Sequence, residues 1–328
     1  MLASIVPGMD RLEWSDDDAP KLAYRAIDPA TQFFECRCGK PDCALSRLRP
    51  FREHIKALYE SLSDAIHLGR LKSEQPEEGW EGVLFALQMA ASIEDAFADT
   101  SYVTESPDDL YCPPPWDEAL INSEIAAKYV AGLAIFNFIW SAYETTVKTV
   151  TPGSAGGERT AVRGRRLADG LRHIEADIPE LSKLYRMAVY ACRKGGHLDA
   201  KIDPIKDTYG LSGLAAAAEL CRIYRNFIAH GDDVVPKEYD WRKNGLGTGN
   251  FVVYRMYGVG RLLLMLIQAF AYHSLSDPDA RMPVRSSRLD GEDSELNGKQ
   301  MFLELQLIPE DERAESPQNA EVETSQGP

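Results

Sequence analysis

Residues 224–231 read YRNFIAHG, and this stretch holds the side chains best suited to chemistry. Histidine exchanges protons near neutral pH because its unperturbed pKa is about 6.5, and the planar arginine fork suits phosphate oxygens. Together they can cleave a phosphodiester without a metal. His230 is the candidate general base or acid, Arg225 the candidate for neutralising phosphate charge as it builds in the transition state, and Asn226 a neutral hydrogen-bond donor.

Spacing constrains how these residues meet. Asn226 and His230 are four apart and share a helix face, whereas Arg225 and His230 are five apart and diverge by about 140° in a regular helix. Two arrangements bring them together. Either the helix unwinds toward Gly231, or two copies of the chain meet across a twofold axis and each lends part of one cleft. Arg47 and Arg49 precede His54, and Arg166 precedes His173, at comparable spacings, but only Arg225 is followed by Asn.

These elements must be helices. Residues 52–68 and 80–98 repeat apolar side chains every three to four positions, and 118–150, 179–193, 211–230 and 256–275 extend the pattern, so the fold class is mainly α. Four prolines in residues 106–116 are expected to end helix and mark a domain boundary. The expected domains are an N-terminal helical region (1–117), a helical bundle (118–275) and a polar acidic tail (276–328). Leu303, Leu305 and Leu307 alternate as in one short strand over 302–308, and residues beyond 309 have the composition of disorder. The glycines of 245–249 lack the Lys-Ser/Thr of a phosphate loop and read as a turn.

At RNFIAH, placed late in an Ala-rich helix, and at the upstream helix FNFIWSAYETTV (136–147) and the last apolar helix, the chain resembles the HEPN superfamily. The resemblance covers about residues 118–275, roughly half the chain. It implies a helical bundle that acts as a homodimeric, metal-independent endoribonuclease. The RNA 2′-hydroxyl would attack the adjacent phosphorus and leave a 2′,3′-cyclic phosphate. Glu144 best matches the acidic or polar residue that such domains carry near the site. Many such domains serve toxin-antitoxin or anti-phage defence, so an antitoxin or other regulatory protein is an expected partner. Others only bind nucleotides or proteins, and a non-catalytic interaction module is the alternative reading.

Cys36, Cys38 and Cys43 form a C-x-C-x4-C string with Gly and Pro between the thiols, which suits three ligands of a structural zinc. It is similar to the short zinc loop that follows SET domains, in the loop alone. Cys112 and His54 are the candidates for the fourth ligand. Arg163, Arg165 and Arg166 crowd a segment expected to be a loop and are candidate RNA-backbone contacts.

Charge resolves unevenly along the chain. The net charge is −15, with 36 basic against 51 acidic residues, which taken whole opposes nucleic-acid binding. Residues 121–288 nevertheless hold 23 basic and 17 acidic side chains, so the acidic excess lies in the flanks. The N-terminus lacks export features, six cysteines are too few for a disulfide framework, and no uncharged run reaches the ~18 residues a membrane span needs. The expected setting is the cytoplasm.

Overall fold

The computed structural model describes residues 48–74, 78–94, 96–100, 102, 113–151, 158–194, 198–210, 212–232, 248–284 and 294–308. The cysteines at 36, 38, 43 and 112, residues 241–247 of the expected 241–250 turn and the tail from 309 lie outside them, and with them the zinc and disorder expectations, while residues 248–250 are helical rather than part of a turn.

The protein is mainly α. Helix α1 (Phe51–His67) buries Phe51, Ile55, Leu58, Leu62 and Ala65 on one face, and Gly69, at φ 63, turns the chain after it. Helix α2 (Glu78–Ser92) packs antiparallel to α3 (Pro113–Val150), because Gly79 lies against Thr149 and Gly82 against Thr145. The prolines at 113–115 do not stop this helix; they open it. Pro fits a first turn, whose N–H groups have no acceptor inside the helix anyway.

The helices α4 (Thr160–Gly170), α5 (Leu181–Lys194), α6 (Asp199–Tyr209), α7 (Leu214–Ala229) and α8 (Thr248–His273) follow, with a 3-10 turn at Arg172–Asp177 before α5. The arginine-rich segment is helix α4 rather than the expected loop, and α6, which the sequence pattern leaves unassigned, forms with Pro204 within it. Helix α8 is the axis of the fold. Its residues Leu262 to Ile267 are fully buried on every side, against α1, α3, α5 and α7. One continuous apolar core runs from Leu48 to Leu305, so α1 and α2 share it with the later helices.

The α3 segment Ile125–Val150 is the one helix among the described residues long and apolar enough to cross a membrane by length and composition. Of its most apolar window, 56% is buried inside the protein, which explains that apolarity as core.

After α8 the chain makes a two-stranded antiparallel ribbon, β1 (Met282–Val284) with β2 (Ser294–Leu296). The expected strand at 302–308 is absent. Residues Lys299–Leu303 form one wide helical turn that buries Met301, Phe302 and Leu303 together, and Leu307 makes only a single bridge to Leu48. The reason is side-chain chemistry. Gln268 of α8 donates to the Phe302 carbonyl and to Gln306 Oε1, and Gln306 donates to the Leu303 and Pro179 carbonyls, which takes up acceptors that a neighbouring strand would use.

The same corner holds His54. Its Nδ1 accepts from Arg261 at 3.3 Å, which places the ring proton on Nε2, donated to Gln268 Oε1 at 3.0 Å. Both ring nitrogens are therefore occupied in the core, and His54 is not placed to be the fourth zinc ligand. Burial, then the charges of Arg261 and Arg49, hold its pKa well below the ordinary range against the Gln268 hydrogen bond.

Candidate active site

Helix α7 carries the Arg-Asn-His segment, and both of its ends are fixed. At its N-terminus Glu175 Oε1 accepts the Leu214 N–H at 2.8 Å, beside Gly213 at φ 118, where a side chain would meet the Glu175 carboxylate. Its C-terminus closes as a Schellman turn. The Asp232 N–H reaches the Phe227 carbonyl and the Gly231 N–H the Ile228 carbonyl, with Gly231 at φ 73.

The inner face of α7 is apolar. Leu214 to Ala218, Leu220, Cys221, Ile223, Tyr224 and Phe227 are buried, the alanines allowing close approach of neighbouring helices. That sets the outer face by periodicity: Arg222, Arg225, Asn226, Ala229 and His230 lie at least partly exposed. The helix does not unwind. It is α-helical through Ala229, and His230 keeps near-helical angles of φ −86 and ψ −2. Within one chain Arg225 and His230 thus occupy opposite edges of the exposed face, with Asn226 between them.

Helix α3 supplies what stands beside Arg225. Phe136 meets Tyr224 edge-on at 5.3 Å between ring centroids, and the Arg225 guanidinium lies over the Trp140 ring, 6.0 Å from its centroid. Trp140 is backed by Tyr143 at 5.3 Å, and Tyr143 by Phe270 of α8 at 6.0 Å, so an aromatic column connects the core to the arginine. Glu144 is one turn beyond Trp140 on the same side of α3 and half-buried.

The arginines differ in how they are held. Arg163 donates to the Thr151 carbonyl, Arg165 and Arg222 to Glu219, Arg166 to Glu158, Arg172 to Asp169, Arg186 to the Ser182 carbonyl and Arg193 to Asp203. Every arginine from Arg163 to Arg222 is thereby tied within the molecule. Among the described residues, Arg225 has no hydrogen bond or ion pair, and the side chains of Asn226, His230 and Glu144 have none either. Of the three arginines expected to touch RNA, Arg163 is buried and closes the end of α3, Arg165 is largely covered, and Arg166 is exposed.

Three features escaped sequence reasoning. Trp140 sits four residues before Glu144, but its meeting with Arg225 depends on how tertiary structure brings α3 and α7 side chains together. Glu219 and Arg222 are an i,i+3 ion pair visible in the sequence, whose third member, Arg165, comes from α4. Tyr209 of α6 receives a hydrogen bond from Arg165 at 3.0 Å. No group of three or more potential metal ligands occurs among the described residues.

The chain matches no family model, no curated protein and no solved structure.

Proposed function

We propose that the chain is a HEPN-like, metal-independent endoribonuclease whose cleft is completed by a second copy. The observation that carries this reading is the state of Arg225, Asn226 and His230: three phosphate-competent side chains at least partly exposed on α7, with no side-chain hydrogen bond or ion pair among the described residues, on a helix capped at both ends. A structural arginine would be expected to look like Arg163, which is buried and bonded to the Thr151 carbonyl.

In this mechanism His230 removes the proton from the RNA 2′-hydroxyl, whose oxygen attacks the neighbouring phosphorus. The bond to the 5′-oxygen breaks and that oxygen takes up a proton. The products are a 2′,3′-cyclic phosphate and a free 5′-hydroxyl. Arg225 opposes the charge on the non-bridging oxygens, and Asn226 donates to one of them. Because the two edges of α7 diverge by about 140°, His230 of one copy works with Arg225 of the other. Glu144, one turn beyond Trp140 on α3, is the acidic residue near the site in this reading. A cytoplasmic role in toxin-antitoxin or anti-phage defence, under an antitoxin-like regulator, and a structural zinc on Cys36, Cys38 and Cys43 belong to the same proposal.

The test is cleavage of RNA by purified protein with EDTA present. Arg225→Ala and His230→Ala are each expected to abolish cleavage and keep the helical circular-dichroism signal. A His230 variant as active as wild type ends the mechanism. The alternative, a non-catalytic interaction module, draws on Phe85, which stands 61% exposed in the middle of α2.

A further inference from the structure

Glu219 lies on α7 two turns before Asn226 and is only 8% exposed. Its carboxylate carries two guanidinium groups. Arg165 Nη1 donates to Oε2 at 2.8 Å, while Arg222 donates from Nε to Oε2 at 2.9 Å and from Nη2 to Oε1 at 2.6 Å. Two cations on one anion leave a positive charge uncompensated.

The geometry leaves donors unused. Arg165 Nε is buried with no hydrogen-bond partner among the described residues, and neither Arg165 Nη2 nor Arg222 Nη1 makes a hydrogen bond there. Both side chains keep an edge to solvent, at 22% and 34% exposure. Neutralising the buried Glu219 carboxylate is one reason to hold two arginines side by side.

Position supplies another. Arg222 is one turn before Arg225 on the exposed face of α7, so their stems are about 5–6 Å apart, comparable with the separation of adjacent phosphates along an extended strand. Beside them the half-buried Tyr209 ring, with Arg165 5.9 Å from its centroid, offers a surface on which a base can stack.

We infer that Arg165 and Arg222, held in register by Glu219, form a second phosphate-binding subsite next to Arg225, so that single-stranded RNA lies along the axis of α7. The ligand class rests on the ribonuclease reading; the charge arrangement does not. Glu219 acts as a positioning residue that aligns both arginines and touches no RNA itself.

The experiment measures binding of a 2′-O-methyl oligouridine, which cannot be cleaved by 2′-hydroxyl attack, over a series of salt concentrations. Arg222→Gln and Arg165→Gln are each expected to weaken binding and to lower the slope of log affinity against log salt by about 0.7, the loss of one phosphate contact on a single strand. Arg222→Lys, which keeps the charge and perturbs folding least, is expected to retain the wild-type slope. Glu219→Gln removes the counter-charge while its amide oxygen still accepts from the arginines, and is expected to bind the oligonucleotide at least as tightly as wild type. Unchanged slopes in both glutamine variants overturn the subsite, as does wild type that fails to bind, or a Glu219 variant that loses as much affinity as they do. Wild type that binds with these slopes but leaves ordinary RNA intact sustains the subsite and ends the ribonuclease reading. Cleavage with an unaltered Arg222→Gln slope does the reverse.

Discussion

The guanidinium of Arg225 stands over the Trp140 ring, 6.0 Å from its centroid, and makes no hydrogen bond or ion pair among the described residues. An arginine held by an aromatic face keeps all of its N–H donors for a ligand, because the ring competes for none of them.

Trp140→Leu is therefore expected to lower turnover about tenfold, corresponding to the ~0.5–2 kcal/mol of a cation–π contact. Trp140→Phe should restore most of it. Steady-state RNA cleavage checks this; equal loss in both variants, with unchanged melting, would show that the ring face is not what positions Arg225.

The ends of α7 should be costly to alter. Glu175→Ala removes the acceptor of the Leu214 N–H and is expected to cost about 1 kcal/mol. Gly213→Ala forces a side chain into a φ of 118 and against the Glu175 carboxylate, at about 1–3 kcal/mol. Urea unfolding curves of the two variants measure both.

Gly164 faces Tyr143 so closely that an added methyl group would strike its hydroxyl. Gly164→Ala is expected to destabilise the protein by ~1–3 kcal/mol, by prying α4 from α3. If it melts like wild type, these helices are not in the close contact described.

His54 makes stability depend on pH. Its pKa in the folded protein is lowered below the ordinary 6.5, so the unfolded chain binds the proton more readily. Its contribution is present in full above that ordinary value and is lost as pH falls toward the lowered folded value. Thermal melts are expected to show wild type losing its margin over His54→Gln as pH drops from 7.5 to 5. Parallel pH profiles would contradict the neutral, doubly hydrogen-bonded ring.

Much of the fold is legible in the sequence where one helix face decides the outcome. The apolar spacing of Ile55, Leu58 and Leu62 places α1, and the alanine run with Gly231 places α7 and its end. The misreadings arise where local pattern and tertiary partner disagree. The crowded arginines make α4 resemble a solvated loop, and Pro204 hides α6, yet packing against α7 supports both. The alternation of Leu303, Leu305 and Leu307 looks like a strand because the partners that bend it, Gln268 and Gln306, reveal nothing at that range. For the site, Arg225, Asn226 and His230 are readable as residue types at a helix end. That their side chains make no hydrogen bond or ion pair among the described residues is not, since it depends on which arginines Glu219, Glu158 and Thr151 take.

The most direct measurement mixes two inactive proteins. Arg225→Ala and His230→Ala, each folded and each unable to cleave RNA, are combined in equal amounts and allowed to exchange subunits. A composite cleft leaves one intact Arg225–His230 pairing in every mixed dimer, so about a quarter of wild-type cleavage should return. A mixture that stays as inactive as its components, although native mass spectrometry shows the mixed dimer, would contradict a site shared between two copies.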